Sequence, residues 1–312
     1  MSDSITQSLI LHHYSMSPFS EKIRAVLGYT GLPWHSVQVP EMPPRRALKP
    51  LAGDYRKIPV AQLGADVFCD SRIISSEIAT LSGRPTLALE NVSAAEQAFV
   101  RHTDLEVFFA CILSADGKVL LKKLWRDTST LHVLRFLADR INMGRKSAVP
   151  AARGARAKTM VRDHLDNLQT LLQQDFLFGE QPSIADFSAW HSAWFMADLA
   201  QSTFIKRYPA VDEWMARMRA FGHGTPQPMT PEEAIAVARA ASPRPLPESE
   251  AHPLLNQQVQ IAPTDYGQVP VTGVLKAITA ERYILAREHA RTGLLHVHFP
   301  RADFSLQAAN AK

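Results

Sequence analysis

Tyr14-Ser15-Met16-Ser17-Pro18-Phe19-Ser20-Glu21-Lys22-Ile23-Arg24 joins a short apolar run to an amphipathic one. The run before it, from Ser8 to Tyr14, has the length and composition of a buried strand. After it, Phe19, Ile23, Val26 and Leu27 recur at i, i+4, i+7 and i+8, which is one face of a helix. Pro18 suits the first helical position, where an N–H has no intrahelical acceptor in any case. Ser17 is then the N-cap: its hydroxyl accepts from the first turn and keeps a proton to donate outward. An anion held there also meets the positive end of the helix. A thiol with an ordinary pKa near 8.5 needs roughly 2 kcal/mol of stabilisation to be half ionised at pH 7. One hydrogen bond to a charged group contributes about 1.5–3 kcal/mol and a helix terminus about 0.3–1, so the two suffice.

Gly31 and Pro33 end this helix, and Trp34 to Val39 reads as a second strand. The Pro-rich stretch 40–50 is a loop with room for a short helix. Ile58 to Leu63 and Val67 to Cys69, separated by Gly64, form a hairpin pattern, and a helix with Ile74, Ile78 and Leu81 on one face follows. Two points in this region suit ligand binding. In Arg56-Lys57-Ile58-Pro59-Val60 a proline heads a strand, where it cannot donate to a ladder and where a cis bond turns the Ile58 backbone outward for an extended peptide. Asp70-Ser71 lies where the next strand meets a helix, so Ser71 and neighbouring N–H groups suit a carboxylate and Asp70 an ammonium.

From Glu90 to Phe221 the period is helical, with helices expected over 92–114, 118–141, 152–174, 184–199 and 210–221. The second carries Leu120, Leu121, Leu124, Leu131, Leu134 and Leu137 at helical spacing. Ser183-Ile184-Ala185-Asp186 is a capping-box pattern with Asp in place of the commoner Glu or Gln. Seven prolines then crowd 223–253 around one helical run from Pro231 to Ala240. Beyond them, Gln258 to Ala262, Val269 to Ile278, Arg282 to Arg287 and Leu294 to Phe299 alternate as strands. Such a β unit is too small to be independently stable unless it packs on the helical domain. The divisions are 1–86, 90–222 and 223–312.

The chain has 312 residues, 46% of them apolar, with a net charge of +4 and two cysteines. Those numbers exclude wholesale disorder and a disulfide-held scaffold. No apolar run reaches membrane-spanning length, and the start MSDSITQS has neither the basic nor the apolar region of a secretion signal, so a soluble cytoplasmic protein with reduced thiols is expected. Residues 118–162 carry twelve of the 34 Lys and Arg. No nucleic-acid motif accompanies them, and solvated helix faces are the simpler reading.

Taken together, the segments around Ser17, Ile58-Pro59 and Asp70-Ser71 resemble the glutathione transferase family, closest to its serine- and cysteine-type, omega-like or related bacterial classes. Ser17-Pro18-Phe19-Ser20 stands where cysteine-type members carry Cys-Pro-Phe/Tyr. The resemblance implies an α+β multidomain fold with a thioredoxin-like glutathione-binding domain and an all-helical domain, and it leaves residues 223–312, a Pro-rich linker and a small β extension, outside the family's usual length. It implies a cytoplasmic homodimeric transferase in which Ser17 is catalytic and activates the thiol of glutathione for attack on a small apolar electrophile, or for isomerisation or peroxide reduction. Ile58 and Pro59 would hold the cysteinyl unit and Asp70 with Ser71 the γ-glutamyl end, with Phe19 and Lys49 also at the glutathione site. No metal, membrane or nucleic acid is implied. With Ser17 in place of cysteine, exchange through a mixed disulfide cannot start there. Tyr14 and Ser15 are alternative hydroxyl donors, and the glycine carboxylate is open to Lys49, Arg56 or Lys57. The alternative is a non-catalytic module of the same fold that uses residues 223–312 for partner contact. Two further patterns read as structural: His296-x-His298 on one strand face lacks a third ligand for a metal, and Cys69 and Cys111 lie in apolar surroundings.

Overall fold

The computed structural model describes residues 8–120, 122, 130–145, 148 and 154–309. Strand β1 (Leu9–His13) leads into helix α1 (Pro18–Thr30), with Ser17 as its N-cap and left-handed Gly31 as its stop. Strand β2 (Trp34–Gln38), the single-turn helix α2 (Lys49–Ala52), the hairpin β3 (Val60–Leu63) and β4 (Asp66–Cys69), and helix α3 (Ser71–Ser82) complete the first unit. The helical unit contains α4 (Ala94–His102), a π-turn (Thr103–Val107), α5 (Phe108–Ser114), α6 (Thr130–Arg145), α7 (Ala155–Leu171), α8 (Ile184–Trp194) and α9 (Pro209–Phe221). Leu121 and Leu124 of the expected 118–141 helix lie outside the described residues, as do 152 and 153 of the next. The capping box at Ser183 forms in full despite the shorter Asp. The Asp186 carboxylate accepts from the Ser183 N–H at 3.0 Å, and also from the Leu177 N–H and the Trp214 indole.

The region after 222 departs from expectation. Its strands do not pack on the helical domain; they extend the sheet of the N-terminal domain. Strand β5 (Pro226–Pro228) pairs with β2 at one end of the sheet, and helix α10 (Pro231–Ala240) crosses its face. Strands β6 (Gln258–Pro263), β7 (Val271–Ile278), β8 (Arg282–His289), β9 (Gly293–Pro300) and β10 (Phe304–Ala308) continue from the other end. The described residues form one ten-stranded sheet in the order β10-β6-β7-β8-β9-β4-β3-β1-β2-β5. The join is parallel, with Asp66, Val67 and Phe68 opposite His296, Val297 and His298. An edge strand exposes unpaired backbone N–H and C=O groups, and β9 satisfies those of β4 where a helix on a sheet face cannot. β10, which composition does not announce, closes against β6.

Alternation along the strands sends side chains to two cores. Leu9, Leu11 and Phe68 face α1, α3 and the helical domain, whereas Val67, Leu295, Val297 and Phe299 face α10 and α2. His296 and His298 fall on the α3 side of β9. There His298 Nε2 lies 2.9 Å from the Asp66 carboxylate, and Arg244 bridges Asp66 to Glu77 of α3. The pair is a buried tie between sheet and helix. Cys69 and Cys111 are both buried; burial raises the Cys69 thiol well above its ordinary range and pushes Cys111 up to about 12. Gly28, inside α1, is required because a Cβ there would collide with the Phe221 and Gly222 carbonyls where the chain leaves α9. No described helix is long and apolar enough to cross a membrane.

Phe299 is fully buried and rings against Tyr55 and Phe304. Because its core is shared by the extension and the N-terminal domain, Phe299→Ala is expected to cost about 3–5 kcal/mol. The loss should appear in one cooperative urea transition; a separate early transition for the extension would contradict the shared core. A pH dependence also follows from burial. It lowers His12 and His191 to about 4 and His13 and His164 to about 3. These imidazoles stay neutral in the fold while the unfolded chain takes up protons below about pH 6.5. Their contribution is complete above that pH and is lost as pH falls toward 4. Burial raises Asp186, to about 6, and Asp265, which act in the opposite sense but are fewer. Unfolding free energy from urea melts is expected to fall by at least about 1.4 kcal/mol per pH unit between pH 6.5 and 5; a flat profile would show these histidines accessible.

Candidate functional site

The N-terminal and helical units meet at a cleft where the C-terminal ends of β1 and β4 give way to α1 and α3. Local chemistry shapes its rim. Ser17 Oγ accepts from the Ser20 N–H at 3.2 Å, and the Ser17 N–H donates to the Tyr14 carbonyl. Arg24 of α1 reaches back under the loop and donates to the carbonyls of Tyr14 (3.2 Å) and Ser15 (2.9 Å), while Glu21 holds its guanidinium. Burial alone would raise the Glu21 carboxyl, but His223 and Arg24 beside it outweigh burial and hold it below the usual range. Lys22 spans the two units, donating to Asp104 at 2.8 Å and to Ser188 at 2.7 Å. Asp104 reaches that position from the π-turn between α4 and α5.

The peptide between Ile58 and Pro59 is cis. Asp70 caps α3, accepting from the Arg72 N–H at 3.0 Å, with a positive φ of 91° that is costly for a residue bearing a Cβ. Phe19 packs on His191 and Phe108, with ring centroids 4.6 and 5.0 Å away. The structure brings Phe19, Ile58, Pro59, Asp70 and Ser71 together around one cavity. Ser17 is 2% exposed and is not among the residues lining that cavity. Lys49 is not among them either: its ammonium pairs with Asp54 on the exposed side of α2, 2.8 Å away. The cations that line the cavity are Lys57, Arg72 and Arg101, of which Arg72 pairs with Asp303 at 3.0 Å.

Lys57 is already engaged. Asp265, in the loop between β6 and β7, accepts from its ammonium through both oxygens, at 2.8 and 2.7 Å, whereas Asp70 Oδ2 is 3.9 Å away. The same ammonium sits 4.3 Å above the Tyr266 ring, and that ring meets Phe109 of α5 edge-on at 5.4 Å. Gly267 follows with φ of +64°, against the Arg56 and Lys57 side chains. The Asp265 carbonyl accepts from the Ala148 N–H at 2.8 Å, which ties the loop to the helical side. Burial raises the Asp265 carboxyl, and Lys57 opposes that rise; burial also lifts the Tyr266 hydroxyl well above its ordinary range. The remaining cavity measures about 60 Å³. Small-molecule sites usually measure about 300–1,000 Å³. Sequence reasoning missed Asp265 and Tyr266, whose only local signal is a polar turn, Thr264-Asp265-Tyr266-Gly267, between two strands. Among the described residues no group of three or more His, Cys, Asp or Glu is arranged to hold a metal ion.

Comparison with known proteins gives this arrangement a context. Residues 11–86 match the pattern of the glutathione S-transferase N-terminal domain, and residues 151–217 that of the C-terminal domain. FtsZ-localized protein A of Caulobacter vibrioides is 30% identical over 189 residues, covering 57% of this chain and 73% of the relative. The crystal structure of a GST-like protein from Pseudomonas syringae is 31% identical with a TM-score of 0.75. It covers 96% of this chain and 100% of the other, a span that takes in the C-terminal strands. With both domain patterns in order on a thioredoxin-like sheet and a helical unit, the chain belongs to the glutathione S-transferase family.

Proposed function

We propose that this chain is a non-catalytic binding module of the glutathione transferase fold. The observation that carries the reading is the seating of Asp265 and Tyr266 in the cleft. A tripeptide docked beside Ile58 needs a cation for a carboxylate and open volume next to the proline. Here Asp265 already neutralises Lys57, the cation adjoining Ile58, through two charge-assisted hydrogen bonds, Asp303 pairs with Arg72, and Tyr266 fills the space over Lys57. Displacing them breaks a partly buried ion pair and exposes an aromatic ring, both of which weaken any ligand that competes. Ser17 is in keeping with the same reading: it is 2% exposed, is not among the residues that line the cavity, and accepts from the Ser20 N–H through its hydroxyl. The relative from Caulobacter vibrioides carries a name that gives a place in the cell and no reaction.

A second reading keeps the enzyme. Ser17 caps α1 as a thiol-activating hydroxyl would, and Phe19, Ile58, Pro59, Asp70 and Ser71 do converge. In that case the β6–β7 loop must withdraw before glutathione enters, and the cytoplasmic homodimer implied by the family resemblance would carry two such clefts.

Titration separates the two. With the wild-type protein, glutathione at millimolar concentration is expected to leave the thermal midpoint unchanged, and conjugation to 1-chloro-2,4-dinitrobenzene is expected to stay at the uncatalysed rate. The Asp265→Ala/Tyr266→Ala double variant should gain a glutathione-dependent rise in midpoint, because a ligand at about a hundred times its Kd adds roughly 2.7 kcal/mol. Wild-type conjugation that drops at least tenfold in Ser17→Ala would overturn the module reading in favour of the enzyme.

A further inference from the structure

The loop between β6 and β7, residues 264–270, is braced within itself and only lightly fastened to the cleft. Among the described residues it pairs with no strand, and Pro263 and Pro270 bracket it with a fixed backbone angle. The Gln268 amide donates to the Thr264 carbonyl at 2.7 Å and to the Asp265 carbonyl at 3.3 Å. The Tyr266 N–H donates to the Asp265 carboxylate at 2.6 Å, and the Val269 N–H to the Gly267 carbonyl at 2.6 Å. A loop closed by its own bonds keeps its shape when its surroundings change, as compact Ω-loops do. One end of it rests on a fixed post. The Thr264 N–H donates to the Asp303 carbonyl at 2.9 Å in the β9–β10 turn, and Arg72 of α3 holds that turn through the Asp303 carboxylate at 3.0 Å.

The contacts that keep the loop in the cleft are few and centre on one charge. Asp265 meets Lys57 through both oxygens, the Tyr266 ring lies over Lys57 and against Phe109, and the Asp265 carbonyl accepts from the Ala148 N–H. Thr264, Gln268 and Pro270 are exposed, and neither Asp265 nor Tyr266 is fully buried. None of the loop's residues belongs to the apolar core that holds β6, β7 and β9 together. A segment with so few buried apolar contacts opens at a small fraction of the free energy of global unfolding. We propose that residues 264–270 form a flap that opens as one body on the β9–β10 turn, and that its opening controls access to the cleft beside Ile58. Lys57 is the catch. The proposal rests on the binding-module reading, in which the chain fills its own cleft, and adds how that filling is relieved: screening or anion competition at Lys57 frees the Asp265 carboxylate, and Tyr266 leaves with it.

Acetylation of Lys57 by sulfo-N-hydroxysuccinimide acetate in the full-length protein, read by peptide mass spectrometry against the exposed Lys158, follows the opening. Lys57, with a side chain 10% exposed, is expected to react at least tenfold more slowly than Lys158 at low salt. Raising the salt from about 0.1 M to about 1 M should speed its reaction at least threefold. Tyr266→Ala, which leaves the ion pair in place, should do the same at low salt. Over the same salt range amide exchange at Tyr266 and Val269 should change less than twofold, because those N–H groups are bonded within the flap. Lys57 labelling indifferent to salt or to Tyr266→Ala overturns the proposal. So does exchange at Tyr266 and Val269 that rises in step with labelling, since the loop then unravels instead of moving as one body. A matching rise at Lys22, which is sealed between the two units, would mean that the units part and would overturn it as well. No glutathione enters this measurement, so its result is separate from the titration and the conjugation assay that decide the module reading.

Discussion

The parallel pairing of β9 with β4 is the contact on which the arrangement of the molecule depends. It spares β4 the exposed ladder groups of a sheet edge, and it fixes the whole C-terminal meander relative to α3 and the cleft. Once β9 is in register, Leu295, Val297 and Phe299 complete an apolar core with α2 and α10, and His298 falls within reach of Asp66. The β6–β7 loop is delivered to Lys57 by the same constraint. The strands of the extension are thus part of the N-terminal domain's own sheet.

A network of paired buried polar groups does much of the remaining positioning. Lys22, nearly inaccessible, is tolerated because Asp104 and Ser188 accept hydrogen bonds from its ammonium across the boundary between the units. Glu21 receives Arg24, His223 and Trp190, joining the first helix to the helical unit and to the start of the linker. This network lies directly beneath the loop that carries Ser17. It holds the loop rigid with its carbonyls turned to Arg24, which favours a cap that is structural over one that reaches for a ligand. The cleft is therefore filled largely by the chain itself.

Much of this was legible in residue order. Periodicity gave the strand, helix, strand opening and the all-helical middle, and Ser17-Pro18, Gly31 and Ser183-x-x-Asp186 marked helix ends because capping is local chemistry. The convergence of Phe19, Ile58, Pro59, Asp70 and Ser71 followed from the likeness of three separated segments to a known family. The choice among Lys49, Arg56 and Lys57 was not legible, since it depends on which side of a loop faces the cleft. Lys49 turned to Asp54 and Lys57 to Asp265.

Residue order by itself determined the elements, their order and the family, because helix periods, caps and proline positions act within a few residues of chain. Only the tertiary structure decided where the last ninety residues go and what they do to the site. The Lys57–Asp265 pair joins groups 208 positions apart, and β4 meets β9 across a comparable span. No local propensity encodes a pairing between two strands so far apart in the chain; it is set by the need to satisfy a strand's backbone and bury one apolar face against another.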